Sequence, residues 1–494
     1  MQDTKSIKTA LMFSTIGVYS RQILGFVLII ILARLLSPEE IGIYAVAGTA
    51  SLLASELSTF GVVQFLIREK NIHENKIRSV LGMVIIVSWG LGLLLILSAP
   101  YIAVFYDKQA IKIILWILSI SFFIVPFCGV PIALWKRKMQ FHQIAIMDFT
   151  GDLISAISVI ILVLLDFSYY GLALGAIIGK ISRLLIIIYI KPPGTVWIPK
   201  FTLVRSMVKF GFFTSLTNIF TRFTESVPDL VIGKMATMAD VGQFSRGFGA
   251  ILFLNNIIIT AVRPVILPHL AEVKRSGRSV VEAYLRSMNL LLAFTLPVFA
   301  VAGAASYPMI ITLFGDQWNS AISITSILAV WVMFVSVHSF SASAFIVSGA
   351  ENLMFKSGLI VTLSRLILVL STASQGIELV AWAMVVSGVI EFCLVTLALK
   401  KSIELKINKM LIVLWPNLFI AFICWLTTIL IDYVIVFEET GPFQSLAIIA
   451  IGLPIIWLFL LRVTKHEAWY LIWGILRKIK SLILIKTNRT LTGK

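Results

Sequence analysis

Long apolar runs recur along the whole chain, separated by short connections that carry most of the charged residues. A helix needs about 20 apolar residues to cross a hydrocarbon core of roughly 30 Å, and the runs are of that length. The pattern predicts transmembrane helices, called spans below, at 9–33, 42–67, 79–104, 111–134, 144–165, 170–190, 209–233, 241–266, 287–313, 321–347, 357–374, 378–399, 411–434 and 443–461. The predicted fold class is an all-α polytopic membrane protein with fourteen transmembrane helices.

The composition excludes a soluble globular protein. Apolar residues make up 59% of the 494 residues and charged residues only 13%, whereas an ordinary soluble domain has about 25% charged residues. The three cysteines, Cys128, Cys393 and Cys424, all fall inside predicted spans without disulfide-framework or zinc-ligand spacing. We interpret them as packing residues.

The basic residues of the connections predict the orientation. Counted from a cytoplasmic N-terminus, nearly all loop Lys and Arg fall on the cytoplasmic side, and four fall on the other side: Arg34, Lys108, Lys112 and Lys234. Because cytoplasmic loops retain Lys and Arg, both termini are predicted to be cytoplasmic. Most of the +17 formal charge therefore reflects topology, and no nucleic-acid partner is expected.

One segment near the N-terminus returns two hundred residues later. The segment 34–44, RLLSPEEIGIY, is matched by KMATMADVGQF at 234–244, so that Gly42 meets Gly242. An even number of spans lies between the two copies, and both therefore point the same way through the membrane. In transporters built from parallel repeats, the two repeats are related by an axis along the membrane normal, and the substrate path lies between them.

The duplication predicts the domain organisation. Two parallel, MATE-like six-helix repeats form an N-lobe (1–190) and a C-lobe (209–400), joined by a Pro- and Gly-containing cytoplasmic loop (191–208). Spans thirteen and fourteen (401–462) follow the repeats. Trp and Tyr beside clustered Lys and Arg then predict a cytoplasmic amphipathic tail at 463–494.

Basic residues inside the spans are the first candidates for function. An Arg or Lys at the centre of a helix costs about 2.5–3.5 kcal/mol on insertion scales, so it normally faces protein or a water-filled cavity. Arg21 and Arg222 lie at matching places in spans one and seven, and we expect them to face one another across a central cavity; Arg246 and Arg365 complete the predicted cationic path. Snorkelling at a cytoplasmic end is the simpler interpretation of Lys180 and Arg183, which share one face of span six.

Carboxylates inside the spans are candidates for ion coupling. From a rise of about 1.5 Å per residue, Glu56 is expected at the depth of Arg21, and Glu225 and Asp229 at the depth of Arg246. Plain ion pairing and a coupling role, in which a carboxylate releases its arginine and takes H⁺ or Na⁺, both remain open. Asp148 and Asp152 share a face of span five, where solvation alone could explain them.

The sequence contains no set of residues that is typical of an enzyme active site. There is no GxxxxGK[ST] phosphate-binding loop, and the five histidines lack metal-ligand spacing. We expect neither an enzyme nor a bound cofactor or metal, and we interpret His338 as a packed, hydrogen-bonded residue. Excess arginine favours an anionic substrate, because guanidinium groups match phosphate oxygens.

Two segments carry a resemblance to a known family. Tyr19-Ser20-Arg21-Gln22 and the turn 32–44, LARLLSPEEIGIY, together with the 6+6+2 arrangement of spans, resemble the polysaccharide transporter family of the multidrug/oligosaccharidyl-lipid/polysaccharide (MOP) exporter superfamily. Within that family the chain is similar to Wzx-type flippases for O-antigen, capsule and exopolysaccharide. The resemblance covers roughly the full length.

The resemblance implies a bacterial inner-membrane protein. Such a protein moves a polyprenyl-diphosphate-linked oligosaccharide from the cytoplasmic to the periplasmic leaflet, by alternating access of two lobes driven by an H⁺ or Na⁺ gradient. It also implies a lumen whose basic residues meet the diphosphate or acidic sugars. By their placement in the spans, Arg21 and Arg222 are the positions to which this role is assigned. Partners would be the lipid-linked oligosaccharide, membrane lipids, and a polysaccharide polymerase or other glycan-assembly proteins.

Three other functions compete with this one. A multidrug cation antiporter of the same superfamily would need excess carboxylate rather than arginine. The lipid II flippases carry several more arginines in their first two spans, whereas here Glu56 is the single charge inside span two. A scaffold for glycan-assembly enzymes would have no need of buried charges at matched repeat positions.

Overall fold

The computed structural model describes residues 2–58, 65, 66, 69, 72–192, 194–202, 222–474 and 477. Within these ranges all regular secondary structure is helical. The helices are α1 (Gln2–Leu35), α2 (Pro38–Ser58), α3 (Glu74–Phe105), α4 (Gln109–Arg137), α5 (Phe141–Leu164), α6 (Ser168–Ile190), α7 (described over 222–235), α8 (Met238–Arg275), α9 (Val280–Ala304), α10 (Ser306–Phe314), α11 (Asn319–Val337), α12 (Ser341–Ser348), α13 (Glu351–Thr372), α14 (Ile377–Ile403), α15 (Ile407–Ile435), α16 (Phe437–Thr440), α17 (Pro442–Val463) and α18 (467–474). The predicted all-α class is confirmed.

Twelve helical segments of the described chain are long and apolar enough to cross a membrane. A thirteenth is α8, whose parts Met238–Thr260 and Val262–Arg275 meet at a 43° bend. Pro264 explains the bend, because its ring displaces the helical hydrogen bond to the carbonyl of Thr260. The predicted span 209–233 lies largely outside the described residues, so the count of fourteen stays a prediction. The chain is a multi-pass membrane protein.

The chain divides into two compact units. Unit 1 comprises Met1–Phe253, Leu313–Ile324 and Gly358–Met384, and unit 2 comprises Leu254–Thr312, Thr325–Ser357 and Val385–Lys494. These borders cut α8 and do not coincide with the expected loop at 191–208, part of which lies outside the described residues. The boundaries of the N-lobe, the C-lobe and the tail stay predictions.

Unit 2 contains a buried polar network around His338 within its apolar core. His338 accepts or donates at both ring nitrogens, with Tyr284 Oη 3.0 Å from Nδ1 and Thr396 Oγ1 2.8 Å from Nε2. Since Thr396 donates its own proton to the carbonyl of Phe392, it accepts from Nε2–H of His338. The interpretation of His338 as a packed, hydrogen-bonded residue is confirmed.

The repeated turns of unit 1 form the same capping box twice. Ser37 Oγ donates to Glu40 Oε2 at 2.8 Å and accepts from the Glu40 amide at 3.3 Å. At the equivalent positions, Thr237 Oγ1 donates to Asp240 Oδ2 at 2.6 Å and accepts from the Asp240 amide at 3.1 Å. These side chains satisfy amides at the starts of α2 and α8 that have no helical partner. The sequence duplication is thus a duplication of structure.

The two turns also pack against each other. A Cβ atom placed on Gly42 would lie 2.7 Å from the carbonyl carbon of Met238, and one placed on Gly242 would lie 2.7 Å from that of Pro38. Only glycine permits such an approach at either position. Because the two contacts are reciprocal, a local two-fold axis passes between the turns. We call this part of unit 1, where α1 and α7 end and α2 and α8 begin, the distal end.

Candidate functional site

Two arginines and two aspartates of unit 1 form the Arg–Asp cluster: Arg21, Asp148, Asp152 and Arg183. Arg21 Nη1 lies 2.8 Å from Asp148 Oδ2, and Arg21 Nε lies 2.6 Å from Asp152 Oδ2. Arg183 bonds to Asp152 Oδ1 and lies 3.7 Å from Asp148 Oδ1. The cluster joins α1, α5 and α6 and balances two positive charges with two negative ones, as charges inside a membrane protein require.

A glycine stripe on α6 places Arg183 against the two aspartates. Gly171, Gly175 and Gly179 repeat every four residues, and Arg183 is the next position of the same stripe. A Cβ atom on Gly179 would lie 2.6 Å from Ser155 Cβ, and one on Gly175 would lie 2.9 Å from the amide nitrogen of Val159. Small residues at this spacing let two membrane helices approach closely. The α5–α6 pair is therefore tight, and it holds Arg183 beside Asp152.

The Arg–Asp cluster faces a cavity. This cavity of about 440 Å³ lies between α1 and α5 of unit 1 and is lined by Val18, Arg21, Gln22, Leu24, Gly25, Leu28, Asp152, Ser155 and Ala156. The Arg21 side chain is 39% exposed, against 21% for Arg183. Arg21 is therefore the arginine of the cluster that an anion entering the cavity would meet.

A second group of charges surrounds Arg222. Its Nε lies 3.1 Å from Glu56 Oε1 and its Nη1 lies 3.1 Å from Glu225 Oε2. Because the Arg222 side chain is 57% exposed, solvent weakens these pairs and each contributes little to stability. Arg222 can therefore leave its partners at small cost.

A third group lies on α7 and α8. Arg246 attracts Asp229 electrostatically, and its guanidinium lies 5.6 Å from the centre of the Trp318 ring. Among the described residues, Asp229 Oδ1 and Arg246 Nε are buried without a hydrogen-bond partner. Arg365, which is buried, lies on α13 and donates to the carbonyl of Thr224 at 3.4 Å. This group holds a carboxylate oxygen that is open to a proton or a cation.

Backbone carbonyl groups at the distal end accept hydrogen bonds from side chains that are distant in the sequence. The carbonyl of Ala33 accepts from Gln317 Nε2 at 2.6 Å and from Trp318 Nε1 at 2.8 Å. Tyr106 Oη donates to the carbonyl of Leu230 at 3.1 Å, and burial raises the Tyr106 pKa to about 12, so the phenol stays protonated. Segments of the predicted N-lobe and C-lobe are thus bonded together at this end of unit 1.

Among the described residues, no group of three or more His, Cys, Asp or Glu side chains is arranged to hold a metal ion. The candidate site consists of charged side chains, one cavity and a set of bonded helix ends. Such an arrangement can bind an anion and can rearrange its ion pairs.

A family model described as "Polysaccharide biosynthesis protein" matches residues 31–323, which is more than half of the chain. The chain belongs to this family. The resemblance seen in the turn 32–44 is confirmed.

Three curated proteins resemble this chain at low sequence identity. The succinoglycan biosynthesis transport protein ExoT of Rhizobium meliloti (strain 1021) is 23% identical over 306 residues, and the match covers 62% of each chain. The teichuronic acid biosynthesis protein TuaB of Bacillus subtilis (strain 168) is 21% identical, over 82% of this chain and 84% of TuaB. The lipopolysaccharide biosynthesis protein WzxC of Escherichia coli (strain K12) is 20% identical, over 67% of this chain and 68% of WzxC.

Solved structures agree with the expected fold. The lipid II flippase MurJ in an inward closed conformation superposes with a TM-score of 0.75 at 18% identity, covering 92% of this chain and 99% of MurJ. An inward-facing multidrug resistance MATE family transporter of the MOP superfamily has a TM-score of 0.58 at 15% identity, covering 78% of this chain and 94% of the transporter. At these identities the likeness concerns the fold alone.

Two of the predicted ion pairs differ in the structure. The expected pairing of Glu56 with Arg21 is wrong, because Glu56 bonds to Arg222 and Arg21 bonds to the two aspartates of α5. Glu225 likewise bonds to Arg222 rather than to Arg246. The proximity of Asp229 to Arg246 is as expected. Whether Arg21 and Arg222 face one cavity stays a prediction.

Nearness to the cytoplasmic end of a span does not reveal the role of Asp148, Asp152 and Arg183. The two aspartates hold Arg21, and Arg183 bonds to Asp152. The sequence did contain a signal. The glycine stripe at 171, 175 and 179 predicts the face of α6 that packs on its neighbour, and Arg183 continues that face.

Proposed function

We propose that this chain is a flippase that moves a polyprenyl-diphosphate-linked oligosaccharide, the repeat unit of an O-antigen, capsule or exopolysaccharide, from the cytoplasmic to the periplasmic leaflet. The observation that carries the proposal is Arg21: a partly exposed arginine of a membrane-spanning helix that lines a cavity large enough for a diphosphate. The relatives named as transport or biosynthesis proteins of surface polysaccharides support it. The proposed activity is transport and involves no enzymatic step.

The charge distribution accounts for an anionic substrate. Guanidinium groups bind phosphate oxygens through paired, charge-assisted hydrogen bonds, and they do so strongly where water is scarce. A multidrug cation antiporter would need free carboxylates, whereas Asp148 and Asp152 are both neutralised by arginine. Arg222, Arg246 and Arg365 are further substrate-binding candidates along the path.

Transport is proposed to be coupled to an H⁺ or Na⁺ gradient. Of the three predicted coupling residues, Asp229 has the strongest support, because its Oδ1 is buried and unbonded. Glu56 and Glu225 are each held by Arg222 and would first have to be released. We place the protein in the bacterial inner membrane with both termini on the cytoplasmic side, where polymerase and other glycan-assembly proteins could meet it.

The test is surface polysaccharide in a deletion strain complemented with wild type, Arg21→Ala or Arg275→Ala. Arg275 is the matched control, since it is an exposed arginine paired with Glu272 at the end of α8. We expect Arg21→Ala to abolish surface polysaccharide at normal membrane expression and Arg275→Ala to retain it. Normal polysaccharide with Arg21→Ala would refute the assignment, and lost export of cationic dyes would favour the antiporter.

A further inference from the structure

We propose that the Arg–Asp cluster exchanges a guanidinium group for a proton. When a diphosphate enters the cavity, Arg21 leaves Asp148 and Asp152 for the phosphate oxygens, and the two carboxylates together take up one proton. The inference rests on the proposed function, because it needs an anionic substrate at Arg21. It adds a coupling site on α5 that the sequence analysis did not assign.

The two arginines of the cluster differ in their freedom to move. Arg21 lines the cavity, and a Cβ atom on Gly25, one turn further along α1, would meet no neighbouring group of the described residues within 4 Å. Arg183 instead packs its side chain on Gly151, where a Cβ atom would lie 2.8 Å from Arg183 Nε. Arg21 can therefore swing toward a ligand, whereas Arg183 stays with the aspartates.

Charge balance requires the proton. Before binding, two arginines neutralise two aspartates. Once Arg21 has left, Asp152 keeps its bond to Arg183 and Asp148 keeps only the 3.7 Å contact. Two carboxylates that share one cation in a poorly solvated site favour uptake of one proton, and that proton belongs to the pair rather than to one residue.

Other charges around the cluster do not replace Arg21. Lys136 of α4 acts on Asp148 at longer range, and Lys180 of α6 and Cys128 of α4 are electrostatic neighbours of Arg183. In the described structure the salt bridges of the two aspartates are those to Arg21 and Arg183.

The exchange balances in atoms and charge. Arg21 stays protonated throughout and moves its hydrogen bonds from carboxylate to phosphate oxygens. One O–H bond forms on a carboxylate oxygen, and its proton comes from the acid form of the buffer in the surrounding solvent, which is left as its conjugate base. A sodium ion fits less well, because it would lie beside the fixed charge of Arg183 and be repelled.

The experiment measures proton uptake on binding by purified full-length protein in detergent. The probe is P1-geranyl-P2-methyl diphosphate, a diester that has no titrating phosphate oxygen near neutral pH. Calorimetry in buffers of different ionisation enthalpy counts the protons, in choline chloride and again in sodium chloride. We expect about one proton to be taken up per bound probe in both salts. The affinity for the probe should fall about tenfold for each unit by which the pH is raised, over the pH range in which the proton is taken up.

Two variants separate coupling from folding. Asp148→Asn and Asp152→Asn each leave one carboxylate to be balanced by Arg183 after Arg21 departs, so neither should take up a proton. Both should bind the probe at least as tightly as wild type, because less negative charge competes for Arg21. Glu272→Gln, a 62% exposed carboxylate of a surface pair, is the matched control and should keep the proton uptake of wild type.

The outcomes distinguish the two proposals. Probe binding that Arg21→Ala abolishes, without proton uptake in wild type, would overturn the exchange and leave the flippase assignment standing. Uptake that persists in both asparagine variants, or binding that depends on Na⁺ and not on pH, would do the same. Absence of probe binding, or binding unaffected by Arg21→Ala, would overturn the substrate site at Arg21 and the exchange together. The number of protons that the wild-type protein takes up tests the exchange even if a variant does not fold.

Discussion

Gly42 and Gly242 occupy equivalent places in one reciprocal contact, each with its would-be Cβ 2.7 Å from a carbonyl carbon of the opposite turn. The contact joins the first repeat to the second at the distal end of unit 1. In the predicted orientation this is the periplasmic end. A flippase that releases its substrate there has to separate the two turns.

Substitution of Gly42 by Ala should destabilise the protein. The new methyl group would push against backbone, which cannot rotate away as a side chain can, and such overpacking typically costs about 1–3 kcal/mol. Thermal unfolding in detergent should show a lower midpoint for Gly42→Ala. Gly249→Ala is the control, because its added Cβ would meet nothing within 4 Å; equal midpoints for the two variants would contradict the packing argument.

Replacement of Trp318 by Phe should loosen the distal end. Trp318 is fully buried and donates to the carbonyl of Ala33 at 2.8 Å, and a hydrogen bond of this kind contributes about 1 kcal/mol. We expect faster hydrogen exchange at the C-terminal turn of α1 in Trp318→Phe. Trp425→Phe, at a 40% exposed tryptophan of unit 2, should leave that exchange unchanged, and similar rates in all three proteins would refute the bonded closure.

Removal of Arg183 should lower both stability and transport. Arg183→Ala leaves Asp148 and Asp152 with Arg21 alone. Loss of one partner of a fully buried pair costs about 3–5 kcal/mol, and with Arg183 21% exposed the cost should fall toward the lower end. Arg183→Lys should recover part of the activity, because lysine keeps the charge but loses the planar fork that bonds two carboxylates. Polysaccharide export and thermal midpoint measure the two effects; wild-type export in Arg183→Ala would exclude a role for the cluster.

Acidification should weaken the docking of α18. His466 is buried and lies 2.8 Å from Asn289 Oδ1 through Nε2, and its Nδ1 accepts from the Ala468 amide at 3.1 Å. Burial lowers the pKa of His466 from its ordinary value of 6.5. The folded state therefore holds the proton less well than the unfolded state. The docking energy is fully present above pH 6.5 and is lost as the pH falls from 6.5 through the lower pKa of the folded state.

Hydrogen exchange over 467–474 measures this docking. We expect slow exchange at pH 7.5 and, after correction for the intrinsic rate, faster exchange near pH 5.5. His466→Gln should remove the pH dependence. A corrected exchange rate that is the same at both pH values in wild type would show that His466 does not control the segment.

Periodicity and composition alone could establish the helices of this protein. Apolar runs of about 20 residues located α4, α5, α6, α14, α15 and α17 to within a few residues, because crossing a membrane constrains length and polarity locally. The match of 34–44 with 234–244 revealed the duplication because the residues of each turn bond to each other locally. Ser37 with Glu40, and Thr237 with Asp240, satisfy amides within their own helix starts, so neither pattern depends on distant residues.

The partners of the buried charges could not be read in that way. Sequence position gives the depth of Arg21 and Glu56 in the membrane, and similar depth suggested a pair. Pairing also depends on how each helix is rotated about its axis and which helix lies beside it. Arg21 turns toward Asp152, 131 positions away, and Glu56 turns toward Arg222, 166 positions away. Helix length and polarity are local properties that can be read along the chain, whereas helix rotation and the choice of neighbouring helix depend on packing over the whole unit and are visible only in three dimensions.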